Sequence, residues 1–324
     1  MPLLGGCRGW QSALDPAGPE AERLSDIVWL FTAVCAGVWL LVVAALAGAL
    51  LRHRGAGPDA LLDTDPRRDR RHGVIVAAAA GVTLLVLLGL TGLSFAVNRD
   101  IADRPDAALS IRLTGHQWWW EVRYDDPRPD RVFTTANEIH VPVGVPVRVR
   151  LGASDVIHSF WVPNLMGKQD LIPGHETEVT LTARRPGVYR GQCAEFCGLQ
   201  HAHMSLFVVA EPPAAFAAWR AAQLLPAAPP IEPERRRGEA AFLSSPCVMC
   251  HAVGGTTAGG RVAPDLTHVA SRRSIAAGTL EMSRGNLGAW IADPQGIKPG
   301  ANMPTMRLDP EALNAIVAYL AGLR

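Results

Sequence analysis

The sequence lacks an excess of either charge. Its 324 residues include 31 Lys and Arg against 30 Asp and Glu, which leaves a net charge of +1. A balance this close to zero argues neither for nor against nucleic acid, and no motif described below indicates a nucleic-acid partner. Cysteine is also scarce, with six in the whole chain. The few cysteines present therefore carry much of the functional information.

Charged residues are absent from two apolar runs, Ile27 to Leu51 and Gly73 to Val97. Each run exceeds the roughly 20 residues that span a bilayer as a helix. Buried helices of a large soluble core are the alternative. The loop between the runs is rich in arginine: Arg52, Arg54, Arg67, Arg68, Arg70 and Arg71. The positive-inside rule places this loop in the cytoplasm, so both termini are expected on the other side.

Two of the six cysteines, Cys7 and Cys35, lie in the N-terminal part of the chain. Residues 4–7 are similar to a bacterial lipoprotein cleavage box, but only six residues precede Cys7. A signal peptide needs an apolar stretch of roughly 7–15 residues. Cys7 is therefore either lipidated in a chain that starts further upstream or an ordinary cysteine. Cys35, inside the first apolar run, is expected to be a small buried hydrophobe.

The remainder of the chain divides into a β-rich and a helical part. Apolar and polar residues alternate in short segments broken by Pro and Gly: 109–113, 120–124, 138–141, 145–151 and 178–182. This period of two predicts an antiparallel β-sandwich or barrel. An Ala/Pro-rich stretch at 226–230 predicts a linker. Near the end, Asp309 and Pro310 are typical of a helix start.

The stretch 193–204 concentrates soft metal donors. It contains Cys193, Cys197, His201 and Met204, and thiolate and thioether sulfur select copper while imidazole also suits it. His158 provides an upstream histidine. A disulfide between the two cysteines is the alternative, but it would explain neither the histidines nor Met204.

A second metal motif lies in the helical part. Cys247, Cys250 and His251 form the c-type haem attachment pattern. A zinc half-site is the alternative, but the helical part offers no second CxxC to complete it. Met303 and Met306 both lie before the last helix and compete as the axial sulfur ligand.

Together these motifs resemble subunit II of the haem–copper cytochrome c oxidases, in the caa-type form with a fused cytochrome c. The resemblance implies a multidomain membrane protein. Its parts would be a two-helix transmembrane hairpin, an all-β cupredoxin-like Greek-key barrel and an all-α class I cytochrome c domain. The expected boundaries are 1–26 for an N-terminal segment, 27–97 for the hairpin with loop 52–72, 98–212 for the copper domain, 213–234 for the linker and 235–324 for the cytochrome domain.

The resemblance also implies the ligands. Two copper ions would form a copper A centre, bridged by Cys193 and Cys197. Its other expected ligands are His158, His201, Met204 and the backbone carbonyl of Glu195. The Glu195 carboxylate would reach a magnesium (or manganese) ion shared with subunit I, unless it is a solvated loop acid. His203 is not expected to bind metal. A covalent haem c would be held by Cys247, Cys250, His251 and Met303, with the Pro264 carbonyl accepting a hydrogen bond from the imidazole.

Two regions fit the family less directly. Residues 118–120 are three consecutive tryptophans, and Trp118 matches the point where electrons enter; packing against the membrane interface or subunit I is the rival interpretation. Since strand side chains alternate, at least one tryptophan should be exposed or stacked on a partner. The family's glutamate near the start of the second helix is absent, and Asp69 or His72 could replace it.

The function implied is a subunit of cytochrome c oxidase, a proton-translocating oxidoreductase of the bacterial inner membrane. Electrons would come from cytochrome c or another cytochrome, through the fused haem and copper A, to subunit I, where oxygen is reduced to water. Further oxidase subunits are expected partners, and the metal domains would be periplasmic. A copper-delivery protein needs no haem, a nitrous-oxide reductase needs a propeller domain, and a quinol oxidase subunit lacks the copper ligands.

Overall fold

The computed structural model describes residues 8–53, 66–102 and 106–324. Cys7 and the loop centre at 54–65 lie outside the described residues. The two apolar runs form the long helices α1 (Pro19–His53) and α2 (Pro66–Ala102). Both are long and apolar enough to cross a membrane, and their most apolar stretches are not buried inside the protein. Helices of a soluble core would be covered instead, so the membrane interpretation is favoured.

Cys35 was expected to be buried, but the structure does not bury it. It is exposed on α1, because nearly the whole surface of that helix is exposed. An ion pair of 3.0 Å between Arg23 and Asp100 joins the start of α1 to the end of α2. The pair of helices (Arg23–Arg104) forms one compact unit, and the other described residues form a second.

The β-rich part is a sandwich of two five-stranded sheets. Its strands are β1 (Leu109–His116), β2 (Trp119–Asp125), β3 (Phe133–Ala136), β4 (Glu138–Pro142), β5 (Val147–Ala153), β6 (His158–Trp161), β7 (Gln169–Leu171), β8 (Thr177–Leu181), β9 (Gly187–Cys193) and β10 (Ser205–Glu211). One sheet has the order β3-β2-β1-β5-β8 and the other β4-β10-β9-β6-β7. Alternate residues of β1, β2 and β5 are buried between the sheets, as the period of two predicted.

The helical part has its own apolar core. Helix α3 (Pro213–Gln223) is not part of it, since Phe216 and Trp219 pack on the core of the sandwich. The other helices are α4 (Pro233–Leu243), α5 (Cys247–Cys250), α6 (Arg284–Ala292), α7 (Pro294–Ile297) and α8 (Pro310–Leu320), with a short hairpin of β11 (Ser274–Ile275) and β12 (Leu280–Glu281). Asp309 caps α8 by accepting from the Ala312 N–H, as predicted. Gly238 lets α4 approach α8 closely, since a Cβ there would lie 1.9 Å from the Ala315 carbonyl oxygen.

Candidate copper and haem sites

Strand pairing brings the first two metal-site residues together. In the antiparallel pair β6–β9, Phe160 lies opposite Cys193, so the start of β6 and the end of β9 lie at the same end of the sheet. His158 is the first residue of β6 and Cys193 the last of β9. Gly115 makes room for the imidazole, because a Cβ at that position would lie 2.7 Å from His158 Cδ2.

The two thiols form the centre of the site. Cys193 Sγ lies 3.7 Å from Cys197 Sγ and 3.9 Å from His158 Nδ1. Both cysteines are free thiols, and one donor atom from each of these three buried residues lies within 4.8 Å of the others. The arrangement therefore offers sulfur and imidazole donors to one small buried space, and no disulfide occupies it.

The remaining predicted donors surround this pair. Cys197 Sγ lies 3.6 Å from His201 Nδ1 and 3.8 Å from the sulfur of Met204. Cys193 Sγ lies 3.1 Å from the Glu195 carbonyl oxygen. The structure thus gathers all six residues expected to hold copper, and this soft donor set fits a pair of copper ions. His203 points elsewhere, with Nδ1 2.8 Å from Gln200 Oε1.

The haem motif lies on a single helical turn. Cys247 and Cys250 begin and end α5, and both are free. His251 Nδ1 lies 2.7 Å from the Pro264 carbonyl oxygen. Because a carbonyl only accepts, Nδ1 carries the proton and Nε2 keeps its lone pair for a metal. Burial lowers the pKa of His251, which favours the neutral ligand form. The donor set therefore fits a covalently bound haem.

The loop before α8 holds the two candidate methionines. Met303 packs against the apolar core of the helical part. The Gln295 side-chain amide donates to the carbonyls of Ala301 and Met303, at 2.7 and 2.8 Å. The main chain at Met303 is therefore fixed by a side chain from α7, and the choice of Met303 over Met306 as the axial ligand stays a prediction.

Comparison with known proteins identifies both parts of the chain. Residues 109–211 match the family model described as the cytochrome c oxidase subunit II periplasmic domain, and residues 236–324 match that of cytochrome c. Cytochrome c oxidase subunit 2 of Alkalihalophilus pseudofirmus is 36% identical over 99% of this chain and 94% of that protein.

The chain belongs to the cytochrome c oxidase subunit II family. A second member, from Bacillus sp. strain PS3, is 31% identical over 99% of this chain and 94% of its own length. Among solved structures, the periplasmic domain of subunit II of cytochrome oxidase from Bradyrhizobium japonicum is 34% identical. The match covers 37% of this chain and 95% of the chain of that structure, and the TM-score is 0.34. The sequence-based assignment to subunit II with a fused cytochrome c domain is confirmed.

The electrostatics of the subunit II thiols show a shared proton. Hydrogen bonding from Cys197, aided by His158, lowers the pKa of Cys193 to about 4. The same interaction with Cys193, together with burial, raises the pKa of Cys197. Burial opposes protonation of His158, but its contacts with Cys193 and Asp155 outweigh it and raise the pKa. One thiol of the pair is therefore favoured as the thiolate, and a metal held by both sulfurs would displace the proton of the other.

Asp155 is a site residue that the sequence analysis missed. Its Oδ1 lies 2.8 Å from His158 Nε2, and its Oδ2 accepts from the Gln117 N–H at 2.7 Å. The bond to Nε2 leaves Nδ1 facing the sulfurs. The spacing of three residues from His158 was the only signal in the sequence. Such carboxylate–histidine contacts orient metal ligands and raise their basicity.

We expect Asp155→Ala to weaken copper binding by roughly 10–100-fold, because the His158 ring loses its orienting carboxylate. Competition with a copper chelator measures the change in affinity. Asp130→Ala is the matched control, since that carboxylate is exposed and pairs with Arg128 rather than a metal-site residue. Equal copper affinity in the two variants would contradict an orienting role for Asp155.

The three tryptophans occupy three different environments. Trp120 is fully buried in the sandwich, and half-buried Trp119 stacks on His116 at 4.3 Å between ring centroids. Trp118 is 9% exposed, and its Nε1 donates to the Cys197 carbonyl at 2.9 Å. Gly198 allows this approach: its φ of +108° favours glycine, and a Cβ there would lie 3.1 Å from the Trp118 ring. Trp118 therefore contacts a predicted copper ligand directly.

Proposed function

We propose that this chain is the subunit through which electrons enter a haem–copper cytochrome c oxidase. It takes them from a cytochrome c, or another cytochrome, and delivers them to subunit I for the reduction of oxygen to water. The observation that carries the proposal is the gathering of three sulfur donors, two imidazoles and one backbone carbonyl at one end of the sandwich. A haem attachment motif in the same chain supplies the second redox site.

At the copper site the chain's contribution is a rigid ligand cage. We infer that Cys193, Cys197, His158 and His201 would hold two copper ions, with the Met204 sulfur and the Glu195 carbonyl as further, weaker ligands. When bound, a bridged copper pair supplies a one-electron carrier whose charge change is spread over two metals and two sulfurs. Both cysteines are buried next to paired strands, so the ligands have little freedom to rearrange.

At the haem site the chain supplies covalent and axial attachment. Thioether bonds from Cys247 and Cys250 would fix the group, and His251 Nε2 would bind its iron on one side. Met303 would bind on the other side. Histidine–methionine ligation raises the reduction potential, which suits an electron carrier.

Glu195 has a second proposed role at the boundary with subunit I. Its carboxylate is partly exposed, with 43% of the side chain accessible, and lies 3.6 Å from Lys168 Nζ. An accessible carboxylate that directly follows the copper-site strand suits a magnesium (or manganese) ion shared with subunit I. The ion would replace Lys168 as the partner of the carboxylate.

The proposed location is the bacterial inner membrane, with the metal domains on the periplasmic side. The N-terminal residues before α1 pack on the sandwich: the Asn164 amide donates to the carbonyls of Gly9 and Asp15. The segments before α1 and after α2 therefore lie on one side, as a two-helix hairpin requires. The arginine-rich loop favours the cytoplasm for the other side. The domain boundaries expected from the sequence stay a prediction, and further oxidase subunits are proposed as partners.

The proposal is tested on the oxidase complex with reduced cytochrome c as electron donor. Stripping copper from this subunit should stop oxygen consumption, and restoring copper should return it. The haem of subunit I is monitored by its absorbance, to show that the chelator has left it intact. Oxygen consumption that continues at the original rate without this copper would refute the proposed route.

A further inference from the structure

The helical domain is seated on the sandwich beside the copper site. Two of its loops make main-chain contacts with the sandwich. The Ser205 N–H donates to the Ala277 carbonyl at 2.9 Å, and the Arg273 N–H donates to Glu138 Oε2 at 2.9 Å. Ser205 directly follows Met204, so this contact touches the copper-ligand loop itself.

Lys298 lies at the centre of this contact. Only 2% of the residue is exposed. Its ammonium group donates to three carbonyl oxygens: those of Trp118 and His203 at 2.7 Å, and that of Ala276 at 3.1 Å. The group has three N–H donors, so every donor is used. Two of the acceptors belong to the sandwich, and burying the charge is tolerable because it is fully hydrogen-bonded.

The loop after Lys298 connects the haem ligand region to the copper region. Asn302, next to Met303, donates from its side chain to the Gln117 carbonyl at 3.2 Å. Gln117 Nε2 in turn donates to the Cys197 carbonyl at 2.7 Å, beside the bond from Trp118. Gly300 lies against the Trp118 ring, where an added Cβ would be 3.7 Å from the nearest ring carbon. A short bonded path thus joins residue 303 to a copper-binding cysteine.

We propose that Lys298 is a positioning residue that holds the cytochrome domain in one docked position on the copper domain. Electrons then pass from the Met303 loop through Gln117 and Trp118 to Cys197 within the chain. Each transfer oxidises the haem side and reduces the copper side by one electron, and no bond forms or breaks. This inference rests on the proposed function. An outside donor must dock on the cytochrome domain, because that domain covers Trp118.

The first test uses the unaltered, metal-loaded full chain. Lys168 and Lys298 are its only lysines, so one amine-reactive acylating reagent compares a docked and an exposed amine. Burial lowers the pKa of Lys298 to about 7. Because its pKa is lowered, Lys298 is no more protonated than an exposed lysine at the same pH, so slow acylation reports shielding rather than protonation.

Mass spectrometry of the digested chain gives the two acylation rates. Lys168, with 53% of its side chain exposed, should react at least about tenfold faster than Lys298. After denaturation the two rates should converge. Equal rates in the native chain would overturn the docked position.

The second test is Lys298→Met in the oxidase complex. We expect the rate of electron transfer from haem c to copper to fall about tenfold or more, because three hydrogen bonds to a charged donor are lost. The reduction potential of the haem and the electron paramagnetic resonance spectrum of the copper should stay unchanged. A variant that distorted either metal site would change one of them. Arg284→Met removes an exposed cation of the same domain and should leave the rate unaltered.

A transfer rate in Lys298→Met equal to that of Arg284→Met would overturn the proposal. If Lys298→Met does not fold, the acylation rates of the unaltered chain still test whether the cytochrome domain is docked. Failure of the proposed function is recognised separately, since it appears as missing copper or haem in the unaltered chain. The two inferences therefore fail by different measurements.

Discussion

Replacing Cys197 by serine should empty the copper site and leave the haem in place. Cys197 Sγ contacts Cys193 Sγ, His201 Nδ1 and Met204 sulfur, so it is the donor shared by both halves of the site. A serine hydroxyl is a poor ligand for copper next to soft sulfur donors. We expect copper affinity to fall by more than about 100-fold, beyond the usual loss for a supporting residue. Oxygen consumption driven by cytochrome c should fall to background.

Copper is counted by elemental analysis, and covalent haem by the absorbance of the denatured chain. His203→Ala is the control in the same loop, since that imidazole contacts Gln200 rather than a sulfur, and it should keep its copper. A Cys197→Ser chain that retained two copper ions would show that the metal is held elsewhere. Loss of both copper and haem would indicate misfolding rather than loss of a ligand.

Met303→Leu should lower the reduction potential of the haem without releasing it. Thioethers at Cys247 and Cys250 would keep the haem attached, while its iron would lose a sulfur ligand that favours the reduced state. The expected fall is on the order of 100 mV, a fraction of the roughly 0.8 V over which axial ligands set haem potentials. Spectroscopic titration of the purified chain at controlled potentials measures it, and electron delivery to copper should slow.

Met306→Leu is the matched control for this prediction. It removes the competing thioether from the same loop and should leave the potential within the error of the titration. If the large shift followed Met306 instead, the axial assignment would pass to that residue. The hydrogen bonds from Gln295 to Ala301 and Met303 would then stabilise the loop conformation without positioning an iron ligand.

Prediction from the sequence was most informative where the residues of a site lie close together in the chain. The predicted copper ligands between 193 and 204, and the predicted haem cysteines with His251, lie within a few residues of one another, so their residue types and spacing indicated the metals. The cap at Asp309 and the strand pattern of the sandwich were equally local. The structure brings His158 to the cysteines through the β6–β9 pairing, which periodicity alone does not determine.

What the sequence could not predict depends on contacts between distant segments. Asp155 has an ordinary sequence context, and its role appears only when β6 places His158 against the thiols. Lys298 was overlooked because its three acceptors lie 22 to 180 residues away. At least one of the three tryptophans was expected to be exposed or stacked on a partner, yet Trp118 is 9% exposed and Gly300 of the fused domain lies against its ring. No pattern of period 2 or 3.6 carries such information.

The measurement closest to the central claim is electron paramagnetic resonance of the purified, copper-loaded and oxidised full chain. We expect one unpaired electron whose hyperfine splitting is shared by two equivalent copper nuclei, as a pair bridged by Cys193 and Cys197 requires. The same sample should contain one covalent haem. A splitting from a single copper nucleus, or a chain that retains no copper, would contradict the binuclear site and the electron route built on it.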